Sequence, residues 1–179
     1  AYLTQAGRAQ EAVDITLAHS NLPKPDVDVL LVHALAQARS GRPELAFDTL
    51  EKAQRVAPEN PMVLVHMGTL WLMSGDRDQA QRRFEEALVA NPGMVAAHTA
   101  LGVMAIEEGR TEAAVEHWRQ AVNADPQQHS RLLAMGMNLW SRGQISTAVP
   151  LLELFAESAS DDLYREEISH VRSLLESPQ

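Results

Sequence analysis

The sequence predicts an all-α chain, a stack of antiparallel helix pairs. Three observations carry that expectation. A glycine recurs every 34 residues, at Gly7, Gly41, Gly75, Gly109 and Gly143. An alanine follows each one five residues on, at Ala12, Ala46, Ala80, Ala114 and Ala148. Apolar and small residues such as Leu64, Met67, Gly68 and Trp71 recur at helical spacing. With only 9 glycines among 179 residues, five in strict register do not arise from composition. A fixed period of this length marks a repeat architecture, in which each unit contacts mainly its neighbours.

Residues 61–94 show the pattern of one unit. Leu64, Met67, Gly68 and Trp71 lie on helix A. Gly75 ends it, and Asp76 and Asp78 stand ready to cap helix B. Ala80, Phe84, Ala87 and Leu88 give the second apolar stripe, and Asn91-Pro92 closes the unit, because proline cannot continue a helix. Residues 95–128 repeat this with Leu101, Gly102, Gly109, Ala114, Trp118, Ala121 and Pro126. Residues 27–60 do so with Leu30, Ala34, Gly41, Ala46, Leu50, Ala53 and Pro58. Residues 129–162 form a degenerate repeat: Leu132, Gly136 and Gly143 fit, but Ser160 replaces the closing proline and Pro150 falls in the second helix.

The two ends depart from the unit, within a single array predicted over 1–179. Residues 1–26 read as a truncated first repeat and link. The tail of a helix A runs to Ala6, helix B covers about Gln10 to His19, and Leu22-Pro23-Lys24-Pro25 stiffens the connection. Residues 163–179 read as a capping helix, with Leu163, Ile168, Val171 and Leu175 inward and Arg165, Glu166, Glu167 and Arg172 outward. A start inside a repeat predicts a preceding segment.

The small residues have a packing role. Ala34, Gly68, Gly102 and Gly136 lie midway along helix A, where a larger side chain would hold helix B away. Trp71, Phe84, Trp118, Leu50 and Leu152 fill the remaining space, so small and large residues interlock at full density. Trp71 and Trp118 are therefore expected in the core.

Composition narrows the partner. The net charge is −9. Residues 1–90 carry 9 basic and 12 acidic side chains, and residues 91–179 carry 6 and 12. No basic block tracks phosphates, so nucleic acid and anionic membrane surfaces are poor partners. No apolar run reaches the roughly 18 residues that span a bilayer. No signal peptide is visible. The absence of cysteine excludes disulfides and thiolate metal sites, and it fits a cytoplasmic and a periplasmic setting equally.

The period, the small residue in helix A, the turn glycine, the early alanine in helix B, the large residue four places on, the next alanine and the closing proline together resemble the tetratricopeptide repeat (TPR) family. The resemblance covers about Ala1 to Asp162, as an array of four to five units. Where the family usually has tyrosine near the end of helix A, this chain has Gln37, Trp71, Ala105 and Leu139. The resemblance implies a right-handed α-solenoid whose concave face is lined mostly by A helices and binds peptides or helices of partner proteins. Fold alone does not fix function.

On that geometry the groove would take Leu31 and Leu35 from the 27–60 unit, with Asp28 and Arg39 beside them. The next unit would add Met62, Val65, His66, Thr69, Leu72 and Met73. Thr99, Val103 and Ile106 would follow, and then Leu133, Met137 and Trp140. The set is apolar and almost uncharged. The Lys, Asn and Arg clamp by which some members of the family hold C-terminal carboxylates is absent. The expected function is a protein–protein interaction module, a scaffold or adaptor, that binds a partner helix or apolar peptide in this groove. Trp140 is the expected anchor. Packing of the same side chains against neighbouring helices is the competing reading. Two alternatives stand beside the module: a C-terminal assembly or regulatory array of a larger bacterial enzyme or membrane protein, and a self-assembling scaffold. A homodimer through Leu3, Ala6, Ala12 and Ile15 belongs to the latter.

No enzyme is expected, and no cofactor or metal. The seven histidines, His19, His33, His66, His98, His117, His129 and His170, show no metal-binding helical spacing, although His66 and His98 could approach across adjacent A helices. Glu85-Glu86, Glu107-Glu108 and Asp161-Asp162 read as solvated charge pairs rather than as acid–base catalysts. No phosphate loop and no GxSxG turn is present.

Overall fold

The computed structural model describes residues 2–22 and 25–176, with side chains from Arg8 onward. Leu3, Ala6 and the Pro23-Lys24 step of the link thus lie outside the described side chains. The described residues form ten α-helices and one 3-10 turn, with no strand. They fall into two compact units, Ala1–Pro92 and Gly93–Gln179.

The first unit holds α1 (Tyr2–Ser20), α2 (Val27–Arg39), α3 (Pro43–Val56), α4 (Pro61–Met73) and α5 (Arg77–Ala90). Consecutive helices pack against each other, and α2 also meets α4. The core comprises Leu30, Leu31, Ala34, Leu50, Val63, Met67 and neighbouring alanines. One expectation fails here. Gly7 does not separate two helices, because α1 continues through it as a single helix. A glycine inside a helix costs only about 1 kcal/mol, so period alone does not force a turn.

The second unit holds α6 (Val95–Glu107), α7 (Thr111–Ala124), a 3-10 turn at Pro126–Gln128, α8 (His129–Ser141), α9 (Ile145–Ser158) and α10 (Asp161–Glu176). Trp118, Leu132, Leu139, Leu151, Leu152, Phe155, Ile168 and Val171 form its core. The backbone of α10 breaks from helical geometry at Tyr164 (φ −130°, ψ 27°). Tyr164 packs edge-on to Phe155 with ring centroids 5.6 Å apart, and its hydroxyl bonds the Ser130 hydroxyl at 2.9 Å. Helix α10 thereby grips both α8 and α9. It buries Ile168 and Val171 and exposes Arg165, Glu166, Glu167 and Arg172.

The A-to-B turns share one device. Gly41, Gly75, Gly109 and Gly143 adopt φ between 72° and 86°, the left-handed region that glycine enters without penalty. The residue after each glycine donates its N–H back to the third-last helical carbonyl: Arg42 to Gln37, Asp76 to Trp71, Arg110 to Ala105 and Gln144 to Leu139. The glycines themselves donate to Ala38, Leu72, Ile106 and Trp140. This Schellman pattern satisfies carbonyls that a helix end leaves open. On the far side Asp76 accepts from the Gln79 N–H at 3.0 Å and caps α5. Helices α3, α7 and α9 have no such side-chain cap.

Close helix pairing follows from the small residues. A Cβ on Gly68 would fall 2.7 Å from the Phe84 ring, one on Gly102 3.0 Å from Trp118, and one on Gly136 2.7 Å from Leu152. Trp118 is 1% exposed, as expected of a core residue. Trp71 differs: it is half-buried and lies against Phe47, with ring centroids 4.4 Å apart.

Candidate partner-binding surface

The expected groove residues separate into two kinds. Leu31, Val65 and Thr99 are buried, at 4%, 7% and 5% exposure. Leu31 belongs to the core of the first unit. These three therefore offer almost no surface to a partner. Helix packing explains this: two flanking helices cover a stripe wider than the small-residue seam alone.

The others keep some surface. In the first unit Leu35, His66, Thr69 and Leu72 are half-buried and Met62 and Met73 are exposed. Leu35, His66, Thr69 and Met73 converge around a narrow crevice between α2 and α4. Burial lowers the pKa of His66 below the ordinary imidazole value, so this crevice is lined by a neutral side chain. In the second unit Val103, Ile106, Leu133, Met137 and Trp140 are all half-buried and packed against the core.

The sequence does not reveal a second cleft in the first unit, lined mainly by apolar residues. A space of about 700 Å³ opens beside α1, α2 and the end of α4. Ala9, Ala12, Val32 and Leu35 line it, together with Met73, and Arg39 stands at its edge.

A buried polar chain fastens α1 to α2 beside this cleft. The Gln37 side-chain amide donates to His33 Nε2 at 3.0 Å, which leaves His33 Nδ1–H to donate to Thr16 Oγ1 at 2.6 Å. The Thr16 hydroxyl in turn donates to the Ala12 carbonyl at 2.7 Å. The tautomer is assigned from this network. Burial, and then the nearby Lys52 ammonium, lower the His33 pKa below its ordinary value. Lys52 itself donates to the Ser20 carbonyl.

His98 approaches His117 within the second unit, Nδ1 to Nδ1, at 3.2 Å. No group of three or more His, Cys, Asp or Glu that could hold a metal ion occurs among the described residues. Within the same residues no helix is long and apolar enough to cross a membrane.

Helix pairs of constant length, joined by left-handed glycine turns and sealed by small-to-large contacts, define a helical-repeat protein. The comparisons agree. The family model for the tetratricopeptide repeat matches residues 69–129. Two solved structures share the fold: "Crystal structure of MamA", with a TM-score of 0.58 at 17% identity, covering 90% of this chain and 89% of that one, and "Crystal structure of MamA protein", with a TM-score of 0.60 at 16% identity, covering 99% and 95%. A curated relative, the "BBSome complex member BBS4" of Bos taurus, is 24% identical over 95 residues, which are 53% of this chain and 18% of that protein. The chain thus spans under a fifth of that relative's length. The tetratricopeptide repeat is thus matched over residues 69–129, and the described residues share the helical-repeat fold of the two solved structures. The fold and the repeat are those of protein–protein interaction scaffolds in general.

Proposed function

We propose that the chain is a non-enzymatic interaction module that receives a partner helix or apolar peptide on the surface its A helices leave open. The observation that carries this reading is Met73. It ends α4 at 53% exposure and borders both the α2–α4 crevice and the cleft beside α1. A flexible, polarisable side chain at such a junction suits a surface that reshapes around a ligand. Leu35 borders the same two spaces, so the apolar surface is continuous.

The test is site-specific photocrosslinking in the host cell. A photoreactive phenylalanine replaces Met73 in one variant and Val89 in another. Val89 is 86% exposed on the B helix α5. Discrete adducts from position 73 alone support the reading. Equal labelling from both positions sinks it.

A self-assembling scaffold is the second reading. Ile15 and Leu17 of α1 favour it, standing 67% and 47% exposed. Light scattering over a wide concentration range decides, because a dimer through this face dissociates on dilution and is lost in Ile15→Glu.

A further inference from the structure

We propose that the cleft beside α1 and α2 recognises a partner helix whose apolar stripe is flanked by acidic side chains. This rests on the interaction-module reading above and adds the chemistry of the partner. The argument begins with charge. The chain is acidic throughout, with 24 Asp and Glu against 15 Lys and Arg. Yet among the described residues the only charged ones that line this cleft are Arg8 and Arg39. Both are exposed. Neither has a hydrogen bond or an ion pair among the described residues, whereas Arg42 nearby is held by Gln10 at 2.6 Å. Two unpaired guanidinium groups at an apolar space, on an acidic protein, repel a basic ligand and steer an acidic one.

The shape favours a helix. Small residues make up part of the rest of the wall, with Ala9 and Ala12 one turn apart on α1. Alanine at a helix surface lets a second helix approach closely, and Val32, Leu35 and Met73 then supply the apolar contact. Val32 is 53% exposed, so its side chain is available for that contact. Guanidinium forks at the rim pair bidentately with carboxylates, which fixes the helix in register.

The experiment uses the full chain and two synthetic amphipathic peptides. They share one leucine and alanine stripe, flanked by glutamate in one and by lysine in the other. Fluorescence anisotropy reads the binding. The glutamate peptide is expected to bind more tightly, to weaken as salt rises, and to lose roughly tenfold in affinity to R8E/R39E. R119E, an exposed change on α7, leaves it unchanged. Equal binding of the two peptides, no binding of either, or indifference to R8E/R39E overturns the inference. Equal binding that M73D abolishes overturns the acidic preference and leaves the module reading standing. Binding that M73D does not touch overturns both. A homodimer lost in R8E/R39E would assign the cleft to a second copy and likewise overturn the inference.

Discussion

Gly68 lies against the ring of Phe84, so close that a methyl carbon on it would sit 2.7 Å from Cε1. The same relation recurs 34 residues on between Gly102 and Trp118, and again between Gly136 and Leu152, at 3.0 and 2.7 Å. In the 27–60 segment Ala34 already carries the methyl and Leu50 accommodates it, both fully buried. Two consequences separate these sites. A leucine end can swing aside, and an aromatic ring cannot.

Gly68→Ala is therefore expected to destabilise. Overpacking against a ring costs about 1–3 kcal/mol, partly offset by about 1 kcal/mol of helix propensity. Gly136→Ala meets Cδ2 and Cγ of Leu152, at 2.7 and 2.9 Å, a side chain with more rotamer freedom than a ring, and is expected to lose less than Gly68→Ala. Urea unfolding of the two variants checks the order. A larger loss for Gly136→Ala would contradict the account.

Gly75→Ala tests the turn instead of the seam. Nothing lies within 4 Å of the Cβ it would add, so sterics with neighbours play no part. The cost is the left-handed backbone at φ +86°, about 1–2 kcal/mol. Gly75→Asn, which tolerates that region better, is expected to lose less. Equal losses would point away from backbone conformation.

Stability should fall as the solution is acidified through the histidine range. The folded pKa of His33 is depressed, first by burial and then by Lys52. The unfolded chain, at the ordinary value of 6.5, then takes up the proton first. The stabilisation is fully present above 6.5 and is lost as the pH drops below it towards the folded pKa. Protonation also turns His33 Nε2 into a donor facing the donating amide of Gln37. Chemical denaturation from about pH 7 to 5 should show this slope, and His33→Gln should flatten it. His66, lowered by burial, adds in the same direction. An unchanged slope in the variant would rule out His33 as the source.

Pro150 stands inside α9, and its missing N–H denies the Ser146 carbonyl its helical donor. Pro150→Ala restores that bond. The helix gains up to about 3 kcal/mol, and the freer unfolded chain returns about 1. Pro150 is half-buried, so lost packing takes a further share and the expected net gain is about 1–2 kcal/mol. A lower melting temperature in the variant would show that the ring packs better than the bond it prevents.

The turns and the seams were legible in the sequence because each rests on a single hard constraint. Only glycine is comfortable at φ above 70°, and only glycine fits against Phe84, Trp118 or Leu152 without a shift of the neighbour. Burial was less legible. Nothing in the spacing of Leu31 against Leu35 shows that one is sealed by neighbouring helices and the other open, because both lie on the same stripe. Trp71 was expected inside and is half-exposed, since its site depends on Phe47, a residue outside the repeating pattern. The His98–His117 approach and the cleft at Arg8 and Arg39 escaped for a similar cause. Each joins side chains from two helices whose relative rotation the period does not encode.

The contact from residue 68 to residue 84 spans only 16 positions, and its counterparts at 102–118 and 136–152 span the same. Every seam closes over a short, glycine-hinged loop, so little chain entropy is spent in closing it. A ribosome adding about 5–20 residues per second takes seconds to release one such pair, whereas helices form in about a microsecond. Each hairpin can therefore close its own seam soon after it emerges, and only the face that meets the next pair waits, unburied, for synthesis to continue.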